Sequence, residues 1–409
     1  MRKFILVTLL ILSTTFSSHA KHQNEPYEPN GWGKFLVKGS QNYYKFQSEL
    51  VEDKDVKEEI DNSQKTGLIS YILFEDNKIK IDQENLPNYI KINNGIMPSH
   101  SVGKSLVSYV LGHAICEGYI DSIEVILDDW SVLKGTLYNG QKLIDILNMS
   151  AGDQKIIGER YFKSDNGIQD KTGKRKLNVN TFPIKDVMQL DILQKTKKSK
   201  PVYNYNALAT NLLMNYTIYK TGDDWDKLLH KVFNEHVKIK DNVWFHQTVR
   251  DTNKVCENEP KYTNVWYQNK CDYKLVKEVG RYSFYANRYD YLRIAKAIMD
   301  DYQKQNCVGK YLKEIYDRRI PKKVDMSGKG KTGEPQFNRT YSYGGQFHLD
   351  YPGLKDKIVF GMGGYGGKAI LIDVEDSRIV ILHSQHFNNK GFNYDVKKLL
   401  IDPIKKGFN

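Results

Sequence analysis

Cysteine is scarce in this chain: Cys116, Cys256, Cys271 and Cys307 are the only four among 409 residues. That number is too small for a disulfide-built scaffold and leaves room for a bridge only as an accessory. Beyond Ala20 no apolar run approaches the ~20 residues needed to cross a bilayer. There is no H-E-x-x-H pattern, which excludes that class of metal centre, and no G-x-S-x-G elbow. His383 and His386 have no third ligand placed by spacing and read as residues at an exposed strand end. Internal repeats and low-complexity linkers are also missing, which excludes solenoid architectures. A chain of this length can bury a sizeable core in one large domain or two lobes.

The first twenty residues have the three parts of a secretory leader. Arg2-Lys3 is followed by an apolar stretch from Phe4 to Phe16 and then by Ser17-Ser18-His19-Ala20. Cleavage is predicted after Ala20, giving an exported protein, periplasmic or secreted. No cysteine follows closely enough for lipid attachment. Export allows one disulfide, and Cys256 with Cys271, which bracket a polar loop, form the best pair; Cys116 reads as a buried thiol acting as a small hydrophobe. The formal charge is +12, near +10 once Arg2 and Lys3 are removed. This suits an anionic envelope or an acidic polymer, but no nucleic-acid motif accompanies it. The cluster Lys195, Lys197, Lys198 and Lys200 reads as a solvated surface.

From Lys21 to about Gln64 the chain is polar and is expected to be an irregular extension, with the folded domain spanning residues 67–409. Gly67–Phe74 and Lys78–Ile81 flank Glu75-Asp76-Asn77 as two strands around a tight turn. Helix and loop dominate residues 101–320, including Leu143–Leu147, Ala207–Thr221, Trp225–Val232 and Tyr289–Asp300. Tyr341–Leu349, Lys368–Val374 and Arg378–His383 read as strands, and Tyr394–Lys405 as a closing helix. Strands at both ends with helices between them predict an α/β (α+β) fold: one antiparallel sheet assembled from both termini, flanked by helices, with a helical subdomain.

Ser101-Val102-Gly103-Lys104 stands where the extended stretch gives way to a helix. Val102, Leu106, Val107, Val110, Leu111, Ala114 and Ile115 recur at the spacing of one buried stripe, and Gly118 supplies a stop. Ser101 therefore falls in the first turn, where free backbone N–H groups and the helix dipole favour negative charge on an attacked carbonyl oxygen. A lysine three residues on shares its face. Held close in a dry pocket, an ammonium loses part of its preference for the charged form and becomes able to accept the serine proton. Ser18 to Lys21 and Ser131 to Lys134 have the same spacing, but the first ends the leader and the second lies in a loop. The alternative for Ser101 is a helix cap beside a solvated lysine.

With this order of elements, Pro98-Ser99-His100-Ser101-Val102-Gly103-Lys104-Ser105 resembles the nucleophile segment of the serine β-lactamase and penicillin-binding-protein superfamily. The likeness is nearest its class C-like branch of esterases, D-peptidases and 6-aminohexanoate-dimer hydrolases. Gly118-Tyr119-Ile120-Asp121 and Ile144 to Gly152 are similar to the segments that follow, and the resemblance runs from about Gly67 to His383. It implies Ser101 as nucleophile with Lys104, and no cofactor or metal. The second motif of the superfamily is matched by Tyr203-Asn204-Tyr205-Asn206-Ala207; aligning Leu212-Leu213 places Tyr205 in the catalytic position, with Tyr203 as rival. Ala207 then stands where β-lactamases carry a substrate-holding asparagine, and the resemblance leaves the adjacent Asn206 as the candidate substrate contact. The third motif resembles Gly361-Met362-Gly363-Gly364-Tyr365-Gly366-Gly367. Here Met362 replaces a basic residue facing the site, Gly364 allows close approach, and the Tyr365 N–H joins that of Ser101 as candidate oxyanion donor. Lys331-Thr332-Gly333 leads into Glu334-Pro335 and reads as a loop.

These residues imply a serine hydrolase acting on a small ester, amide or short peptide. Either Lys104 or Tyr205 could be the base. The alternatives are a D-peptidase working on cell-wall peptides and a ligand-binding relative that has lost turnover. Oligomeric state is left open.

Overall fold

The computed structural model describes residues 33–157, 167–169, 175–178, 184–251, 273–323, 338–385 and 393–407. The leader, Cys256, Cys271, Lys331-Thr332-Gly333 and His386 lie outside them. The segment expected to be an irregular extension instead contributes β1 (Gly33–Val37), β2 (Gln47–Ser48) and α1 (Lys54–Asp61). Asp53 starts α1 by accepting hydrogen bonds from the Asp55 and Val56 N–H groups. The predicted hairpin follows as β3 (Leu68–Glu75) and β4 (Lys78–Glu84). Its turn places Asp76 at φ 51° and Asn77 at φ 59°, a left-handed pair that suits short polar residues and matches the twist of the strands.

β5 (Met97–Pro98) leads into α2 (Val102–Cys116), and α3 (Leu143–Leu147) and α4 (Ala207–Thr221) follow. Then come a π-helical turn at His230–His236, β6 (Val243–Asp251), β7 (Tyr273–Ala286), α5 (Arg288–Lys304) and α6 (Cys307–Asp317). The chain returns through β8 (Ile320–Pro321), β9 (Ser342–Gly344), β10 (Phe347–Leu349), β11 (Val359–Gly364), β12 (Lys368–Asp373) and β13 (Arg378–Ser384), closing with α7 (Asp402–Lys406). The stretch expected to be one strand, Tyr341–Leu349, is thus a hairpin. Gly345 at φ 54° and Gln346 at φ 70° turn the chain between β9 and β10.

Among the described residues, nine strands form one sheet in the order β8-β9-β10-β11-β12-β13-β3-β4-β2. The two chain ends meet where β13 pairs antiparallel with β3, Ile381 facing Ile72 and Val380 facing Leu73. This is the predicted sheet assembled from both termini. β3 reads LISYILFE and is buried along its whole length, because both of its faces are covered. Ile72 and Phe74 face the main helical core, while Leu68, Tyr71 and Leu73 face a second core with Val56, Leu399 and Ile404. A second, four-stranded sheet, β1-β6-β7-β5, was not foreseen.

α2 is buried on all sides rather than along the one stripe its apolar spacing predicts. Every residue from Val102 to Ala114 is buried, so the helix runs through the core, packed against β7, α4, α6 and β11. That is the expected place for a helix with apolar residues on several sides. Cys116, at its end, is bonded to Cys307 at the start of α6, which corrects its reading as an isolated thiol. His383 is likewise no surface residue: β13 is an interior strand, and the side chain is 2% exposed.

Candidate active site

Ser101 sits at the N-terminus of α2 with φ −71° and ψ −10° and makes no side-chain capping hydrogen bond. The hydroxyl is therefore not committed to the structural role a serine usually plays there. Behind it, Ser99 fixes the approach of the chain: its N–H donates to the Phe284 carbonyl at 2.7 Å, and its Oγ accepts from the Phe284 N–H at 2.8 Å. His100, between the two serines, is held at φ 48°. A non-glycine residue in the left-handed region costs free energy, and such strain gathers where surrounding packing presents a functional side chain.

The helix lies hard against β7. A Cβ at Gly103 would come within 1.9 Å of the Tyr282 carbonyl oxygen, so only glycine lets the first turn approach this strand. The approach brings the Tyr282 ring over the side chain of Lys104, with Nζ 3.6 Å from the ring centroid. Tyr205 stands on the other motif, its centroid 5.1 Å from the same nitrogen. Lys104 itself is 2% exposed. A buried ammonium facing two aromatic rings is partly compensated by their quadrupoles.

The Tyr205 segment is positioned by a polar knot. The Asn204 N–H donates to the Met149 carbonyl at 2.8 Å, and Asn204 Nδ2 to Asp153 Oδ1 at 2.8 Å. Asn206 caps α4 by accepting from the Ala209 N–H at 2.8 Å, while its amide donates to the Asn204 carbonyl and to Asp153. With the residue 1% exposed, this amide is occupied in shaping the loop, contrary to its reading as a substrate contact. Tyr203, the rival tyrosine, turns toward Tyr343, 5.1 Å between centroids, and toward Lys322, whose Nζ is 5.4 Å from its ring. Of the two, Tyr205 is the ring the fold brings beside Lys104.

β11 supplies the remaining wall. A Cβ at Gly364 would lie 2.6 Å from the Ser99 carbonyl oxygen, so this end of the strand abuts the Ser99–Ser101 segment. Tyr365 follows in the turn, 53% exposed, its ring edge-on to His100 at 5.8 Å. Met362, in contrast, is 1% exposed and packs into the main core.

Three further groups at the site escaped the sequence reading. Tyr282 is the first. The others are His348 on β10 and Lys322 just after β8, with Lys322 Nζ 3.2 Å from His348 Nδ1 and donating to the Asn338 carbonyl at 2.7 Å. The His348 ring is 6.0 Å from Tyr205. Burial, then the charges of Lys322 and Lys104, hold this imidazole well below its ordinary range, so it is neutral at pH 7. Only alternation in Arg281–Ala286 could have flagged Tyr282, by placing it with Phe284 on the inward face.

Comparison with solved structures places the fold. The chain is similar to a protein designated 6-aminohexanoate-dimer hydrolase from Bacillus anthracis, at 15% identity and TM-score 0.58, over 91% of this chain and 90% of that one. It is also similar to a D-stereospecific amidohydrolase from Streptomyces sp., at 13% identity and TM-score 0.52, over 88% of this chain and 100% of that one. A class C β-lactamase from Rhodobacter sphaeroides aligns at 11% identity and TM-score 0.50, over 82% of this chain and 95% of that one. The fold is that of the serine β-lactamases and penicillin-binding proteins. No family model and no curated sequence matches the chain. Within the β-lactamase fold, Ser101 and Lys104 open the central helix, and Tyr205 and the end of β11 face that opening.

One buried cation near this wall has a consequence for stability. Lys368, opposite Gly364 in the β11–β12 pair, turns its ammonium end toward the Ser384 carbonyl, at 3.4 Å, and so does not replace the basic residue missing at Met362. Burial lowers its pKa from 10.5 to about 7. Between those values the unfolded chain holds a proton that the folded chain releases, so this group makes stability rise with pH from about 7 to 10.5 and opposes folding most below 7. Lys368→Met is expected to stabilise the fold by about 2 kcal/mol at pH 6, less than the whole shift converts to because buried charges draw in water. The gain should shrink toward pH 10, and urea titrations of both proteins at the two pH values check it.

Proposed function

We propose that this chain is an exported serine hydrolase that cleaves an ester or amide bond through an acyl-enzyme on Ser101. The observation that carries the reading is the buried Lys104 held between Tyr282 and Tyr205 three residues from a serine hydroxyl that caps nothing. In the first step Ser101 Oγ attacks the carbonyl carbon, and its proton passes to Lys104 or to Tyr205. The N–H groups of Ser101 and Tyr365 stabilise the oxyanion. The same acid returns the proton to the departing alcohol or amine, and water then releases the acyl group by the reverse sequence. Export is supported by the Arg2 to Ala20 leader and by the Cys116–Cys307 bond, since structural disulfides persist in oxidising compartments.

The substrate class follows from what the wall lacks. Met362 fills core space, and the Asn206 amide is occupied in the loop. No basic side chain on β11 therefore meets a substrate carboxylate, which favours acyl donors without a free carboxylate near the scissile bond. Hydrolysis assays with neutral p-nitrophenyl esters, short amides and cell-wall D-peptides test this. The account expects turnover of the neutral esters and amides above that of the D-peptides. Preferential release of D-amino acids would replace it with the peptidase reading. Stoichiometric acylation without turnover would support a ligand-binding relative, which the loss of the basic residue at Met362 makes the strongest rival.

A further inference from the structure

At the end of α2 remote from Ser101, three side chains from distant parts of the sequence converge. His113 lies in the last turn of α2, His236 ends the π-helical turn, and Asp301 lies near the end of α5. The His113 and His236 imidazole nitrogens and an Asp301 carboxylate oxygen lie within 4.8 Å of one another. His236 Nε2 is 2.9 Å from Asp301 Oδ1, and the His113 and His236 rings are 5.0 Å apart. An ion pair would account for His236 and Asp301. It does not account for His113, whose Nε2 is buried with no hydrogen-bond partner among the described residues, on a side chain only 6% exposed. Buried ring nitrogens are normally paired, so an orphan nitrogen on a ring beside two other ligand groups calls for a partner.

We propose that His113, His236 and Asp301 bind a divalent transition metal, zinc by the donor set, as a structural tie between α2, the π-helical turn and α5. Two imidazoles and one carboxylate are the three protein ligands of an open zinc site, with a fourth position for water. His236, 36% exposed at its side chain, gives the ion a path from solvent. Asp301 is oriented as a ligand would be: Tyr109 donates to its Oδ2 at 2.6 Å and Asn306 Nδ2 to its Oδ1 at 2.7 Å. Such supporting hydrogen bonds fix a ligand's geometry and tune the metal it holds. His113 follows Ser101 by about 18 Å along the helix at ~1.5 Å per residue, so the ion takes no part in the acyl chemistry. The Cys116–Cys307 bond lies one turn further on.

The test uses the full chain with its disulfide intact, stripped with chelator and titrated with Zn²⁺ alone by calorimetry. In parallel, Co²⁺ is followed by visible absorption. One equivalent of Zn²⁺ should bind per chain and raise the unfolding temperature, and Co²⁺ should give the d–d bands of a low-coordinate nitrogen and oxygen site. His236→Ala removes a half-exposed ligand and keeps the core, so it should fold, yet lose more than the ~10–100-fold in affinity that a missing supporting partner costs. His113→Phe should do the same. Absence of stoichiometric binding by the wild-type chain, or unchanged affinity in folded His236→Ala, would overturn the proposal.

Discussion

Ser101→Ala is expected to lower turnover of any ester or amide substrate by on the order of 10⁴–10⁶-fold, with the unfolding temperature unchanged. The second half of this expectation comes from geometry: the hydroxyl makes no capping bond, so removing it takes nothing from the helix. The first comes from chemistry, because without Oγ no covalent bond to the acyl carbon can form. The backbone donors remain in the variant and leave a small residual rate above that in water. Lys104→Met should be almost as damaging, and the double variant little worse than either single one, since nucleophile and base act as a unit. A steady-state comparison of the four proteins, with circular dichroism to show folding, reads both halves. Full turnover in Ser101→Ala would remove the serine from the mechanism. A large loss of stability would return it to the role of a cap.

Breaking the Cys116–Cys307 bond carries the second large effect. The bridge joins residues 191 apart in sequence, and cross-linking a loop of that length restricts the unfolded chain by about 5 kcal/mol on the chain-entropy account. The double variant Cys116→Ala/Cys307→Ala should therefore unfold at much lower urea, and reducing agent should weaken the wild type to a similar degree. Cys116 is half-buried and Cys307 exposed, so the cavities left behind should add only a small part of the loss. Equilibrium urea titration under oxidising and reducing conditions separates the parts: reduction breaks the bond and keeps the sulfur atoms in place. Equal stability in all three preparations would show that the bond does not hold the two helices in solution.

What the sequence made legible was local or periodic. Ser101 and Lys104 are three residues apart on one helix, so their pairing needs no knowledge of the rest of the fold. The hairpin at Asp76-Asn77 and the apolar strands near the C-terminus carry their own patterns, and topology rules then join the two ends into one sheet. What stayed hidden depends on contacts between distant segments. Tyr282, His348 and Lys322 come from three separate stretches, and no spacing links them to Lys104. Cys116 and Cys307 are 191 residues apart, and only the packing of α2 on α6 brings them together, while Cys256 and Cys271, the pair expected from the loop they bracket, lie outside the described residues. Gly33–Val37 is too short and too polar in its surroundings to announce a strand, and it becomes one by pairing with Val243–Gln247. The Asn206 amide was read as a ligand group because its neighbours match a motif, whereas the fold employs it as the cap of α4. His383 and the all-round burial of α2 share a cause: a residue's exposure is set by what packs over it, which periodicity along one element does not report.

The central claim is that Ser101 is an activated nucleophile, and the most direct measurement is the intact mass of the wild-type protein and of Ser101→Ala after treatment with a fluorophosphonate probe. One adduct per chain on the wild type, located at Ser101 by peptide mapping and absent from the folded variant, is the predicted result. An unmodified wild type, or an adduct that persists in Ser101→Ala, would contradict it.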